Sequence, residues 1–279
     1  MGILNINDDS FSGDGRLDVA WALERARELT EQGADVIDVG AESARTNRAP
    51  ISEDQEVARL QPFLSGFNKA VGTAARRDSV QVFPPLLSIN TWRTGVVERV
   101  LPMGGDLLND MSALPTDANA LQCAKTGAAL LIMHSLGAPK EKHTHVEYSN
   151  VMEELESFFL EKLSMAHSAG VAREATLLDP GIDFAKQAPD NLRILRETDR
   201  LVALGRPLLL PVSRKSVIGK ILGIKDPCGR DPGTAACIVA GFRRGASIFR
   251  VHNVEMAWRT LVTLQSLQDG VFDEAGKER

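Results

Sequence analysis

The polar residues of greatest chemical content stand where short apolar runs end: Asn5, Asn90, Asn109, His134, Asp179, Ser213 to Lys215, and Arg250 with His252. Amides and a carboxylate suit the donor and acceptor edge of a flat heterocycle better than they suit bond-breaking. In Pro211-Val-Ser-Arg-Lys-Ser-Val-Ile-Gly219, Arg214 and Lys215 lie at a predicted helix start, where backbone N–H groups and two cations form an anion site. A solvated basic turn has the same local sequence. Ser247-Ile-Phe-Arg-Val-His252 alternates polar and apolar residues, so Arg250 and His252 point the same way. The pair suits a phosphate or diphosphate, and a structural pair reads alike. The oxygen-rich loop Asn5–Gly15 offers ligands to a hard cation such as Mg2+, though it lacks EF-hand spacing and a flexible acidic loop looks similar. Asp38, inside a strand run, reads as structural and satisfied by neighbouring backbone.

Other chemistries find no support. There is no Ser-His-Asp order, GxSxG elbow, HExxH, Walker A or GxGxxG motif. His143, His145 and His167 have no partners at metal-ligand spacing and read as surface residues. Cys123, Cys228 and Cys237, odd in number and scattered, fit neither a disulfide framework nor a zinc knuckle, and read as reduced and buried or incidental. With 32 Lys and Arg against 37 Asp and Glu, the net charge of −5 argues against a nucleic-acid partner. No apolar stretch approaches the roughly 20 residues that span a bilayer, and the first residues lack signal-peptide order, so the expectation is a cytoplasmic protein with no membrane partner.

These residues need elements to carry them. A unit recurs: an amphipathic run, a glycine that stops it, four or five apolar residues, then a polar one. It appears from Gly33 to Asp38, Gly105 to Asn109, Gly127 to His134, Gly205 to Ser213 and Gly245 to His252. Adding Gly2–Asn5, Leu86–Ile89 and Ala175–Leu178 gives eight predicted strands, the count of an α/β (β/α)8 TIM barrel. The clearest predicted helices are Leu17–Gln32, Glu53–Val71, Val151–Ala169, Asn191–Ala203 and Glu255–Leu267. A doubly wound open sheet is the alternative; in either fold the ligand lies beyond the carboxyl ends of the strands. One domain over residues 1–270 and a disordered tail over 271–279 complete the reading.

Taken in order, the motifs resemble dihydropteroate synthase. MGILNINDDSFSGDG at residues 1–15 resembles the family's first loop, and Gly33-Ala-Asp-Val-Ile-Asp-Val-Gly-Ala-Glu-Ser-Ala-Arg45 its second. Ser88-Ile-Asn-Thr91, Leu107-Leu-Asn-Asp110, Met133-His134 with Gly137 and Pro139, Leu178-Asp-Pro-Gly-Ile182, Ser213-Arg-Lys-Ser216 and Arg250-Val-His252 match further strand ends. The resemblance implies a TIM-barrel transferase of an alkyl group other than methyl. Such an enzyme joins 6-hydroxymethyl-7,8-dihydropterin diphosphate to p-aminobenzoate, giving 7,8-dihydropteroate and pyrophosphate in folate biosynthesis. It also implies Mg2+, a homodimer, and sulfonamides as mimics of p-aminobenzoate.

By position, the resemblance implies that Asn109, Asp179 and Lys215 bind the pterin, that Asn90 occupies the place of another such residue, and that Met133 and Phe184 line the substrate pocket. Asn5, Arg250 and His252 fall at the diphosphate end, with Asn5 as the metal ligand; Arg45 and Ser216 fall at the p-aminobenzoate end. The implied catalytic set is Lys215, Asp179, Arg250 and His252. In the family the C–O bond breaks before the amine attacks, so no protein nucleophile is needed.

The chain departs from the family pattern at several points. Asn90 replaces the aspartate of Ser-Ile-Asp-Thr, removing a carboxylate from the pocket while keeping its shape. Asp8 stands where proline is common, and Gly13-Asp14 is transposed; Ala44 and Thr46 replace Thr and Pro. Ile182-Asp-Phe-Ala-Lys186 replaces Ile-Gly-Phe-Gly-Lys. Two divergent readings therefore stand beside the first. A pterin-dependent methyltransferase is disfavoured by Ser213–Ser216 and Arg250–His252, whereas Asn90 leaves open a catalytically silent pterin-binding protein.

Overall fold

The computed structural model describes residues 1–7, 15–43, 49–140 and 146–270. Strands and helices alternate: β1 (Gly2–Asn5), α1 (Val19–Glu31), β2 (Val36–Gly40), α2 (Glu53–Val71), β3 (Leu86–Asn90), α3 (Thr94–Val100), β4 (Leu107–Asp110), α4 (Ala118–Thr126), β5 (Ala129–Met133) and α5 (Val151–Ser168). The second part runs β6 (Thr176–Asp179), α6 (Ala188–Arg196), α7 (Thr198–Val202), β7 (Leu209–Leu210), α8 (Ser216–Leu222), α9 (Asp231–Phe242), β8 (Ile248–Phe249) and α10 (Val254–Asp269). Strands β1 to β6 pair in sequence order, all parallel, and β7 pairs with β8. Two parallel bridges join these sheets, Leu178 to Leu208 and Val251 to Gly2. The ring of eight is thus closed, which is a TIM barrel and excludes the open doubly wound sheet.

Local sequence fixes the helix starts. Asp18 caps α1 by accepting from the amides of Ala20 and Trp21, and Ser52 with Gln55 forms a reciprocal capping box on α2. The predicted single helix Asn191–Ala203 is two helices separated by Glu197, at non-helical φ −114° and ψ 27°, and Thr198 Oγ bonds back to the Ile194 carbonyl. Strands β7 and β8 are only two residues each, shorter than the predicted runs. Pro207 and Pro211 flank β7 and lack the N–H that would extend its ladder.

Barrel closure creates two separate apolar layers. The larger lies between strands and helices and holds residues such as Phe63, Leu60, Leu108 and Phe159. The smaller fills the barrel interior: Met1, Leu107, Leu131 and Leu209, with Val36, Ala129, Leu177 and Ile248 against them. Side chains two apart on a strand share a face. Two residues beyond Val36, Leu107, Leu131, Leu177 and Ile248 come Asp38, Asn109, Met133, Asp179 and Arg250. The interior therefore changes from apolar to mostly polar in one step toward the carboxyl ends of the strands, and that layer is the candidate site.

Candidate active site

Asp38 is fully buried at the centre of this layer. Its carboxylate accepts from Ser88 Oγ at 2.6 Å, from Asn109 Nδ2 at 3.2 Å to each oxygen, from Asn90 Nδ2 at 3.5 Å and from Arg250 Nε at 2.6 Å. The register explains the convergence, because Asp38 stands opposite Ser88 and Asn90 opposite Asn109. Side chains from three other strands satisfy Asp38 here, and not the neighbouring backbone expected from sequence. The remaining amide atoms, Asn90 Oδ1 and Asn109 Oδ1, are buried with no protein partner. Two such acceptors on one wall call for a ligand with N–H donors.

Asp179 stands across the pocket at the end of β6, with Met133 beside it at the end of β5. Asp179 accepts from the Gly181 amide at 2.7 Å, and burial pushes its carboxyl up to about 6. Lys215, Arg250 and Lys186 are the cations that act on it. Lys215 donates to the Ile182 carbonyl at 2.8 Å and lies 4.7 Å from the centre of the Phe184 ring. Burial holds Lys215 below the usual lysine range, opposed by Asp183 and Asp179. Lys215, Asp179 and Phe184 thus form one group.

The turn carrying Lys215 differs from the expected anion site. Arg214 has φ +56° and is turned to Asp231, which it binds through Nε at 2.7 Å and Nη2 at 3.0 Å. The Ser216 amide at the α8 start already donates to Asp183 Oδ2 at 2.5 Å, as does Ser216 Oγ at 2.8 Å. A carboxylate of the chain itself therefore takes these donors.

His134 was expected at the rim, but it is wholly buried and serves Lys186. Lys186 Nζ lies 2.8 Å from His134 Nδ1 and donates to the Phe184 carbonyl at 3.1 Å. Burial brings Lys186 down to about 7, and burial with the nearby Lys186 brings His134 down to about 3. The neutral imidazole supports the loop that carries Phe184. Gly181 permits this packing: a Cβ there would lie 2.0 Å from the His134 carbonyl oxygen.

Next to the β7 end that carries Lys215, Arg250 and His252 come from the end of β8, its pairing partner. Apart from Nε on Asp38, the Arg250 guanidinium has no other hydrogen bond among the described residues. Ser213 Oγ accepts the His252 amide at 3.1 Å and lies 2.8 Å from His252 Nδ1. Asn5, at the end of β1, opens onto the first loop.

A family model described as "Pterin binding enzyme" matches residues 1–252. The chain belongs to the pterin-binding enzyme family. Among curated members, the dihydropteroate synthase of Synechocystis is 35% identical over 257 residues, covering 91% of this chain and 85% of that protein. The Yersinia pestis dihydropteroate synthase, solved as a sulfonamide drug complex, superposes with a TM-score of 0.86 at 30% identity, covering 97% of this chain and 94% of that one. The Xanthomonas albilineans dihydropteroate synthase in complex with 7,8-dihydropteroate gives a TM-score of 0.81 at 30% identity, covering 96% and 92%.

Within this family pattern the departures acquire a structural form. Asn90 keeps its place in the pocket wall, and the carboxylate next to it is Asp38. Asp183 and Ala185, where the family has glycines, both sit at positive φ, +67° and +48°. Arg45, Ala44, Thr46, Asp8, Gly13, Asp14, His143, His145 and the 271–279 tail lie outside the described residues. His167 is exposed as expected; the three cysteines are free, Cys123 buried and Cys228 exposed. Sequence reasoning missed Asp183 and Lys186 as working groups. It also missed the Glu42 cluster, in which Arg93 pairs with both Glu42 and Glu56 while Lys140 donates to Glu42 at 2.5 Å. No local sequence pattern signalled these groups, because partners such as Ser216, His134 and Arg93 lie 33 or more positions away in the chain.

Proposed function

We propose that the chain acts as a dihydropteroate synthase on 6-hydroxymethyl-7,8-dihydropterin diphosphate and p-aminobenzoate. The observation that carries this is the polar layer over the barrel core. Two partnerless amide oxygens and Asp179 accept from a donor-rich heterocycle, while Lys215 supplies donors and Arg250 and His252 wait at the mouth. Phe184 gives the ring an apolar surface next to Lys215.

As the C–O bond to the diphosphate breaks, negative charge grows on the leaving oxygens and positive charge on the pterin. Arg250 and His252 stabilise the first, and ionised Asp179 stabilises the second. The amine of p-aminobenzoate then attacks the exposed carbon from the side of Ser216 and loses a proton. Retention of Arg250 and His252 favours this reaction over methyl transfer.

Mg2+ belongs to this reading. No group of three or more His, Cys, Asp or Glu that could hold a metal occurs among the described residues. The donor set fits an ion held mainly by diphosphate oxygens with Asn5 as a protein ligand, the way Mg2+ is commonly bound with phosphates. Bound there, it would neutralise leaving-group charge. A cytoplasmic location, a homodimer and sulfonamide inhibition follow from the family resemblance; no helix among the described residues is long and apolar enough to cross a membrane.

Purified protein is incubated with both substrates and assayed for pyrophosphate and dihydropteroate. Turnover in the wild type and its loss in Lys215→Ala, with circular dichroism unchanged, is the expected result. Pterin binding without turnover would indicate a silent binding protein, and near-normal turnover in Lys215→Ala would remove that residue from the site.

A further inference from the structure

Asp38 is the one carboxylate of the polar layer whose acceptor sites are filled by the chain. An ionised carboxylate offers about four lone-pair sites. Ser88 Oγ, Asn109 Nδ2, Asn90 Nδ2 and Arg250 Nε occupy them. Asp38 thus has nothing left to offer a ligand, and what it does must pass through its neighbours.

Its neighbours are the residues that face the heterocycle. A primary amide can turn either its oxygen or its NH2 toward a ligand, and the two orientations present opposite patterns. With Nδ2 of Asn90 and Asn109 both directed at Asp38, each oxygen is left on the other branch of the fork, buried and without a protein partner. We propose that Asp38 is the positioning residue that sets the ligand polarity of the pocket. It locks two amides as acceptors for a heterocycle edge carrying N–H donors, and it holds Arg250 beside them. Resting on the pterin reading above, this assigns the discrimination among heterocycles to a residue that never touches them. It also accounts for Asn90: an amide at this position keeps the acceptor through its link to Asp38.

The test compares wild type with Asp38→Asn. An amide at 38 accepts through one atom only, so Asn90 and Asn109 become free to rotate. Binding of 6-hydroxymethylpterin, followed by calorimetry, is expected to weaken on the order of tenfold or more. KM for the diphosphate substrate rises with it, while KM for p-aminobenzoate stays within about twofold, a split that general destabilisation would not produce. A second measurement needs no variant: in asparagine-15N-labelled wild type, the side-chain amide protons of Asn90 and Asn109 should exchange far more slowly than those of exposed asparagines. Equal pterin affinity in Asp38→Asn, or fast exchange of both amides, overturns the proposal. If wild type binds the pterin but releases no pyrophosphate, the synthase reading fails while the affinity ratio still decides the role of Asp38. If it binds no pterin, the exchange rates decide.

Discussion

Asn90 stands where the family has a carboxylate, yet its Nδ2 lies 3.5 Å from the carboxylate of Asp38. The pocket keeps a negative charge one step deeper, partly neutralised by Arg250 at 2.6 Å. Restoring aspartate at 90 places a second charge nearer a ring that turns cationic, so Asn90→Asp is expected to raise kcat. Because Asp38 already contributes, the gain should stay near or below roughly tenfold, the low end for a charge-assisted contact. Steady-state kinetics at saturating substrates measures it; a fall in kcat would mean that two carboxylates around one arginine repel more than they help. Asp179 gives a second prediction. Its carboxyl is raised to about 6 by burial, so its ionised form, the one proposed to stabilise the cation, is lost as pH falls through that value. The kcat/KM profile should bend downward on the acid side near pH 6, and an Asp179→Asn variant, much slower throughout, should lack that bend. The linked stability term has the opposite sign. A raised carboxyl pKa lowers stability as pH climbs from the unfolded value, about 3.9, toward 6.

Among the elements, the segment from Gly181 to Gln187 carries two of the departures from the family pattern, Asp183 and Ala185. Lys186 holds it through the Phe184 carbonyl, and Lys215 through the Ile182 carbonyl. Asp183, at φ +67°, bonds both donors of Ser216 and exchanges two hydrogen bonds with Asn191. Non-glycine residues at positive φ cost on the order of 1–3 kcal/mol and persist where surrounding bonds hold them. The carboxylate lies beside the side of the mouth assigned to p-aminobenzoate, itself an anion, and takes the Ser216 donors. Asp183→Gly removes the charge, frees those donors and suits the backbone. KM for p-aminobenzoate should fall several-fold with KM for the pterin diphosphate little changed. A higher KM for p-aminobenzoate would show that the Asp183 latch organises the site instead. This segment also marks where sequence reading stopped. The motif identified Asp179 and Lys215 because strand-end polar residues carry a periodicity signal. Asp183, Lys186 and Glu42 act through contacts between loops that no local pattern encodes. Arg250 shows both sides: its place at the rim was legible from alternation, but its bond to Asp38, 212 residues away in sequence, required barrel closure.

At the scale of the whole molecule, the eight βα repeats were legible because each glycine-stopped helix and short apolar run repeats the same local physics. The shortness of β7 and β8 was not, since closure of the ring lets two-residue strands suffice. A barrel of this kind separates stability from chemistry by its two ends. The site lies at the carboxyl ends of the strands, whereas Gly33 lies in the turn between α1 and β2, at the amino end. Gly33 has φ +99°, and a Cβ added there would lie 2.5 Å from Cδ1 of Trp258 on α10. That indole is itself fixed, its Nε1 donating to Asp78 at 2.9 Å and its ring lying 4.2 Å from the Arg77 guanidinium. Trp258 therefore cannot yield cheaply, and the contact joins the first turn of the barrel to its last helix. Gly33→Ala adds backbone strain and overpacking, together about 2–4 kcal/mol. For a domain of this size that lowers Tm by roughly 5–12 °C. Turnover per folded molecule, measured well below the new Tm, should stay near wild type, because no group of the polar layer moves. A Gly33→Ala variant that kept its Tm would show that the α10 contact is soft. One that kept its Tm but lost turnover would undo the separation of the two ends.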